Sequence, residues 1–253
     1  MFKNAIVRKP CPEMIHGLSS ASLGVPDYEL ALEQHTAYVE ALRKCGLQVT
    51  ILEPDSGFPD SCFVEDVALC TSRFTVQCNP GASSRKGEQI KMEPVLRGFF
   101  DSIEQIIAPG TLEAGDVMMT GDHFYIGVSE RTNPEGAGQL IRILQKYGMS
   151  GEMIPLNEML HLKSGLSYLE NENLLAFGEF LQHPAFSHFN IIEVDKTEGY
   201  AANSLWINGT VLVPKEFPDT LTKIQAVGLS TLEVDVSEFR KLDGGLSCLS
   251  LRF

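Results

Sequence analysis

Few residues in this sequence could do covalent chemistry. They are a cysteine near the C-terminus, Cys248; a histidine in HLKSGLSYL, His161; and the acids Asp60, Glu65 and Asp66 in FPDSCFVEDVALC and Glu113 and Asp116 in TLEAGDVMM. A thiol, an imidazole and several carboxylates gathered in one pocket suit nucleophilic attack on a cation. A guanidinium fits such a set, because it stays protonated at physiological pH and its nitrogens match planar carboxylates. Asp66 and Glu113 are the candidates to accept its hydrogen bonds and hold its electron-poor carbon in front of Cys248. A free thiol with a pKa near 8.5 is only a few per cent thiolate at neutral pH. A bound cation about 4 Å away is worth roughly 4 kcal/mol at an effective dielectric of 20, about three pKa units, and would supply the reactive form. His161 would then protonate the departing amine and later deprotonate the attacking water, leaving citrulline.

These residues lie far apart in the chain, so the elements between them must bring them together. After a first strand at Ala5 to Arg8, Pro26 and Asp27 open a helix that Gly46 ends, and the strand LQVTILEP follows. The phrase recurs with a helix from Asn133 and Pro134 to Gly148 and with one from Pro218 to Val227 before LSTLEVDV. Weaker copies run from Glu88 through Phe100 into SIEQIIAP, and from Pro184 to Phe189 before NIIEV. Paired strands precede the helices in TLEAGDVMMTGDHFYIG, HLKSGLSYLENENLLAFG and YAANSLWINGTVLVP. Repetition at roughly 40 to 50 residues means a solenoid or a radial array. The fifth copy selects the array. Its front part is LDGGLSCLSLRF, and its helix and last strand can only come from the N-terminus, so the chain ends must pair and close a ring. The expectation is one domain, residues 1–253: an α/β five-bladed propeller of ββαβ modules. The opening polar residues of each module would converge at one end of its channel.

Bulk composition agrees with that architecture. At 253 residues with 43% hydrophobic and 21% charged side chains, the chain has material for a large core. A net charge of -13 with no Lys/Arg cluster argues against nucleic acid and anionic membranes as partners. The apolar stretches are short and MFKNAIVRKP lacks a signal-peptide core, so a cytoplasmic protein is expected. The six cysteines are too scattered for a disulfide scaffold or paired zinc ligands. No HExxH, CxxC or calcium-loop spacing is present, so no metal and no other cofactor is expected. His16, His35, His123, His183 and His188 read as surface or satisfied core residues. Glu65 and Asp66, if on a regular strand, face opposite ways, which makes Asp66 the ligand and Glu65 structural. If the segment is a regular strand, Cys62 shares a face with Asp60 and Val64, which leaves room for a second pocket thiol, but no role for it is favoured.

FPDSCFVEDVALCTSR, SRKGE, EAGDVMM, GDHFYIG, LHLKSGLSYLE, YAANSLW and DGGLSCLSLRF follow one another over nearly the whole chain. Together they resemble the dimethylarginine dimethylaminohydrolases, in the guanidine-modifying superfamily of pentein-fold proteins. The resemblance implies hydrolysis of an N-omega-methylated arginine to citrulline and dimethylamine or methylamine through a Cys248 thiouronium. It implies His161 as general acid and base, with Glu113 and Asp66 on the guanidinium. It further implies that Asp60 helps hold the guanidinium end and that Arg85 and Arg131 reach the α-carboxylate. Backbone carbonyls near Leu18, in a GLSSASLG lid, and Leu242 would receive the α-ammonium. Without a role at the site, Arg85 and Arg131 would be exposed salt-bridge formers, and Tyr200 and Asn203 could as well support strand pairing as contact substrate. Cys62 departs from the family pattern, in which a branched aliphatic residue is usual. Two rivals stand beside this reading: an arginine deiminase, which usually carries a helical insertion that this chain lacks, and a non-catalytic pentein that needs neither Cys248 nor His161. A small molecule is the expected partner, and a homodimer through the outer face is expected on prevalence alone.

Overall fold

In a computed structural model describing residues 1–253, the chain forms five three-stranded sheets. All share one plan: an antiparallel pair, then a crossover, then a third strand parallel to the second. The first strand β1 (Asn4–Arg8) is followed by helix α1 (Tyr28–Lys44) and strand β2 (Gln48–Leu52). The second module comprises β3 (Ala68–Cys70), β4 (Thr75–Gln77), α2 (Glu88–Leu96) and β5 (Ile103–Gln105). The third comprises β6 (Val117–Thr120), β7 (His123–Val128), α3 (Pro134–Lys146) and β8 (Ser150–Pro155). A short helix α4 (Leu162–Gly165) opens the fourth, with β9 (Leu166–Tyr168), β10 (Asn173–Ala176) and β11 (Asn190–Glu193). The fifth has β12 (Leu205–Ile207), β13 (Thr210–Pro214), α5 (Pro218–Ala226) and β14 (Ser230–Val234), after which come α6 (Ser237–Arg240) and β15 (Leu251–Arg252).

The last strand returns to the first. Strand β15 pairs antiparallel with β1 in the register Ala5 to Arg252 and Ile6 to Leu251, so the first module is completed by the C-terminus as its sequence required. The helices start where the residue types predict. Asp27 accepts from Leu30 N at 3.1 Å and Asn133 from Gly136 N at 2.8 Å, each satisfying a donor the helix leaves open. For α5 that service comes from the buried Glu198, whose carboxylate accepts from the backbone of Asp219 and Thr220.

Two expectations change. Residues 58–67 are a chain of turns ending in one 3-10 turn, Val64–Val67, and not a strand, so alternation does not govern where Glu65, Asp66 and Cys62 point. Cys62 is buried in a hydrophobic cluster with Met14, Phe63 and Phe239. The weak helix expected from Pro184 to Phe189 before β11 is only a 3-10 turn, Pro184–Phe186, which ends short of Phe189.

The chain divides into two compact units, residues 1–64 with 165–253 and residues 65–164. The first has its core around Tyr38, Leu42, Phe239 and Leu246, with a second cluster around Leu175, Val211 and Ile224. The core of the second forms around Phe74, Leu112, Phe124 and Leu140. No helix is long and apolar enough to cross a membrane.

Each module after the first opens on a short helical segment before its first strand: Val64–Val67, Ala114–Asp116, α4 and the longer 3-10 stretch Lys196–Ala202; the C-terminal return strand opens the same way, on Ser247–Leu249. Such a turn projects side chains sideways from the chain, whereas the strand that follows must pair. Asp66, Glu113, His161, Asn203 and Cys248 all lie in or directly beside these turns.

Candidate active site

In residues 65–164, three polar side chains converge: one ligand atom each from Asp66, Glu113 and His161 lies within 4.8 Å of the others. Asp66 is gripped from two sides. Its Oδ2 accepts from Arg85 Nη1 at 2.6 Å and its Oδ1 from Gly115 N at 3.1 Å. A Cβ at Gly115 would stand 2.8 Å from Asp66 Oδ1 and 3.1 Å from His161 Cγ, so only glycine fits there. Arg85 is itself buried, and its Nε and Nη2 donate to Glu88 at 2.9 and 2.8 Å. It is therefore no exposed salt-bridge former. Burial pulls the Asp66 carboxyl upward, but Arg85, with help from His161 and the Gly115 N–H, outweighs it and holds Asp66 below the usual carboxylate range.

Glu113 is 1% exposed and has one anchored and one open oxygen. Its Oε1 accepts from Ala82 N at 2.9 Å, whereas Oε2 is buried with no hydrogen-bond partner. That oxygen lies 3.5 Å from His161 Nε2 and 3.6 Å from Arg131 Nη1. Burial and the neighbouring Asp66 raise the Glu113 carboxyl above its ordinary range. An orphan carboxylate oxygen at this depth is costly unless a cation meets it.

His161 has a partner that sequence reasoning had left without a role. Its Nδ1 lies 3.3 Å from Asp116 Oδ1, within ion-pair range although the angle falls short of a hydrogen bond. Asp116 is wholly buried, accepts from Leu162 N at 3.0 Å and from Ser129 Oγ at 2.7 Å, and is thereby aimed at the imidazole. Burial alone would lower the His161 pKa; the charge of Asp116 and those of Asp66 and Glu113 override it and raise the pKa to about 9. The imidazole is thus protonated at neutral pH and ready to give a proton away. Asp116 shares the EAGD turn with Glu113, three residues on, and that spacing was the available sequence signal.

Glu65 also finds its partner. Lys163 Nζ donates to Glu65 Oε1 at 2.6 Å, tying the turn that carries Asp66 to the segment that carries His161. Arg131 keeps 20% of its side chain exposed, and its backbone N–H donates to Ser129 Oγ at 3.0 Å.

Residues 1–64 with 165–253 hold the remaining candidates. Leu18 N donates to Asp60 Oδ1 at 3.0 Å, and Gly17 is packed so closely that a Cβ would stand 2.8 Å from that oxygen and 3.2 Å from Leu242 Cδ1. Ser19 Oγ donates to Lys241 O and Ser20 N to Asp243 Oδ2, both at 2.5 Å, so the loop of Leu18 is latched to the segment of Leu242. Asp60 therefore keeps company with the two residues expected at the ammonium end. Cys248 lies in the turn Ser247–Leu249, partly buried against the hydrophobic cluster of this unit. Gly245 N donates to its sulfur at 3.4 Å.

Among the lone histidines, His35 is buried, and burial drives its pKa down to about 4. Its Nε2 has no hydrogen-bond partner, although a backbone hydrogen bond with Arg8 works against the shift, so it is a core residue satisfied only in part.

Comparison with known proteins matches residues 27–171 to the family described as N,N dimethylarginine dimethylhydrolase, eukaryotic. A Pseudomonas aeruginosa protein named N(G),N(G)-dimethylarginine dimethylaminohydrolase is 55% identical over the full length of both chains. A Streptomyces coelicolor protein of the same name is 33% identical, covering 99% of this chain and 96% of its own. Among solved structures, a mutant DDAH from Pseudomonas aeruginosa complexed with citrulline superimposes with a TM-score of 0.99 at 54% identity, over all of both chains. The fold is the α/β pentein class of five ββαβ modules.

Proposed function

This chain belongs to the dimethylarginine dimethylaminohydrolase family, and from that premise we propose the reaction and the role of each residue. The enzyme hydrolyses N-omega-methylated arginine to citrulline and dimethylamine or methylamine. Residues 1–253 act as one catalytic domain without a cofactor. The observation that carries this reading is the buried, unpartnered Glu113 Oε2 converging with Asp66 and His161 within 4.8 Å.

Asp66 and Glu113 accept the N–H groups of the guanidinium and fix its plane. The Cys248 thiolate, favoured by the bound cation, attacks the central carbon to form an S–C bond. The C–N bond to the methylated nitrogen then breaks, and His161 supplies the proton that leaves with the amine. His161, now neutral, takes a proton from water as the water oxygen bonds to the thiouronium carbon. The S–C bond breaks and citrulline departs, leaving His161 charged again. Asp116 holds the imidazole in orientation and favours its charged form throughout.

Arg131 and Arg85 receive the substrate carboxylate, Arg85 while also keeping Asp66 ionised. The backbone carbonyls of Leu18 and Leu242 take the α-ammonium, and the Leu18–Asp60 hydrogen bond supports a place for Asp60 at that end in preference to the guanidinium end expected from the resemblance. Six free thiols suit a reducing cytoplasm, where the partner is a free amino acid. A homodimer is retained on general prevalence, to be checked by sedimentation.

The test is turnover of purified protein on asymmetric dimethylarginine, monomethylarginine and arginine, with citrulline and the released amine both measured. The expected result is citrulline with methylamines. Turnover of arginine alone would make the enzyme a deiminase.

A further inference from the structure

YAANSLW stood out in the sequence, yet none of the roles above uses it. We infer that Asn203 is a positioning residue for the nucleophile, setting the turn that points a backbone N–H at the sulfur of Cys248. The inference rests on Cys248 being the nucleophile.

Asn203 is 6% exposed and closes the 3-10 stretch that opens the fifth module. Both ends of its side-chain amide are engaged. Oδ1 accepts from Ser247 N at 2.9 Å and Nδ2 donates to Ser247 Oγ at 3.0 Å, so the residue before Cys248 is held at both backbone and side chain. The same amide lies flat against Gly245. A Cβ there would come within 2.5 Å of Asn203 Cγ and Oδ1, which no side chain tolerates. Between these two grips, the turn closes through Cys248 N donating to Gly245 O at 3.2 Å and Gly245 N donating to Cys248 Sγ at 3.4 Å. Tyr200, three residues earlier, reinforces the approach by donating to Gly244 O at 2.8 Å. A Cβ on Gly244 would sit 2.1 Å from the Phe63 ring, so the Gly-Gly pair is pressed between Phe63 and Asn203.

An N–H donated to sulfur favours thiolate over thiol, because the donor is worth more to the charged acceptor. Gly245 N can keep its direction only while the turn is held. Asn203 touches the turn at both Gly245 and Ser247. It is neutral, so it orders the sulfur without adding a negative charge that would oppose the thiolate.

The test uses full-length protein and the rate of iodoacetamide alkylation against pH, with the modified cysteine located by peptide mass spectrometry, beside steady-state kinetics on asymmetric dimethylarginine. In Asn203→Ala the alkylation midpoint at Cys248 should rise by about half a pH unit or more. Its kcat should fall about tenfold or more while KM changes by less than about threefold, as for loss of an interaction that serves the reacting atom. Ser247→Ala removes only the Nδ2–Oγ bond and should move both readings the same way by less. A folded Asn203→Ala with wild-type midpoint and kcat overturns the inference. If that variant does not fold, an unmoved midpoint and kcat in Ser247→Ala overturn it instead. Turnover with no modifiable Cys248 would strike the nucleophile assignment itself, an outcome distinct from an unmoved pH profile.

Discussion

The acid cluster of residues 65–164 and the cysteine turn of residues 1–64 with 165–253 are ordered by opposite means. Around His161 the order comes from charge: Asp66, Arg85, Glu88, Glu113 and Asp116 are each nine-tenths or more buried, and each reaches an oppositely charged neighbour. Around Cys248 the order comes from neutral groups: an amide, a hydroxyl, backbone groups and two glycines without room for a methyl. Charges pre-set protonation states at the cost of desolvation. Neutral hydrogen bonds and close packing pre-set direction, and they act on the sulfur's charge only through the aim of one N–H, the larger effect coming from the bound cation. The cluster should therefore respond to pH and isosteric charge removal, and the turn to small changes of shape.

Removing the sulfur tests the larger half of that contrast. Cys248→Ala should lower kcat by more than about a thousandfold, and full turnover in that variant would refute the covalent route. Next comes the imidazole. Its pKa is raised to about 9, so the required acid form is present at neutral pH and is lost as pH rises through that value. A plot of kcat/KM for the wild type should fall above about 9, and Asp116→Asn, which removes the leading favourable charge, should bring that limb down by about one pH unit or more. An unmoved limb would detach Asp116 from His161. The same raised pKa stabilises the fold while His161 is charged, fully below about 6.5 and no longer once pH has passed through about 9.

Steric pressure is the corresponding probe of the turn. Gly244→Ala should destabilise by about 1–3 kcal/mol, read as a lower denaturant midpoint, because Phe63 must move. His35 offers an acid-side test in the same unit. Its pKa is lowered to about 4, so its contribution is present above about 6.5 and lost as pH falls towards 4. His35→Phe should shift acid unfolding to lower pH, and an unchanged midpoint would remove His35 as a cause. The smallest effect is expected far from either region. Breaking the exposed Lys9–Glu53 pair with Lys9→Ala should change stability by less than about 0.5 kcal/mol, and a larger loss would mean that surface charge matters here.

Much of the fold was legible in the chain itself. Helix caps such as Asp27 and Asn133, the glycines after the helices and the paired alternating strands are local signals, and their repetition implied the pairing of β1 with β15. The residue types at Cys248, His161, Glu113 and Asp66 likewise pointed to the chemistry proposed for them, because few side chains can attack, protonate or clasp a guanidinium. The 58–67 segment was misread because polar and apolar residues in a turn mimic strand alternation, and only its 3-10 geometry says otherwise.

What tertiary structure decided is which neighbours each group has. Nothing local says that Asp116 faces His161, that Lys163 pairs with Glu65, that Arg85 is buried against Glu88, or that Asn203 grips Ser247. Apart from the Arg85–Glu88 grip, which lies within one turn of chain, those contacts join residues tens of positions apart, and a protonation state or a side-chain direction follows from distance and burial. Sequence determines which groups are available; packing determines which of them carry charge and where they point.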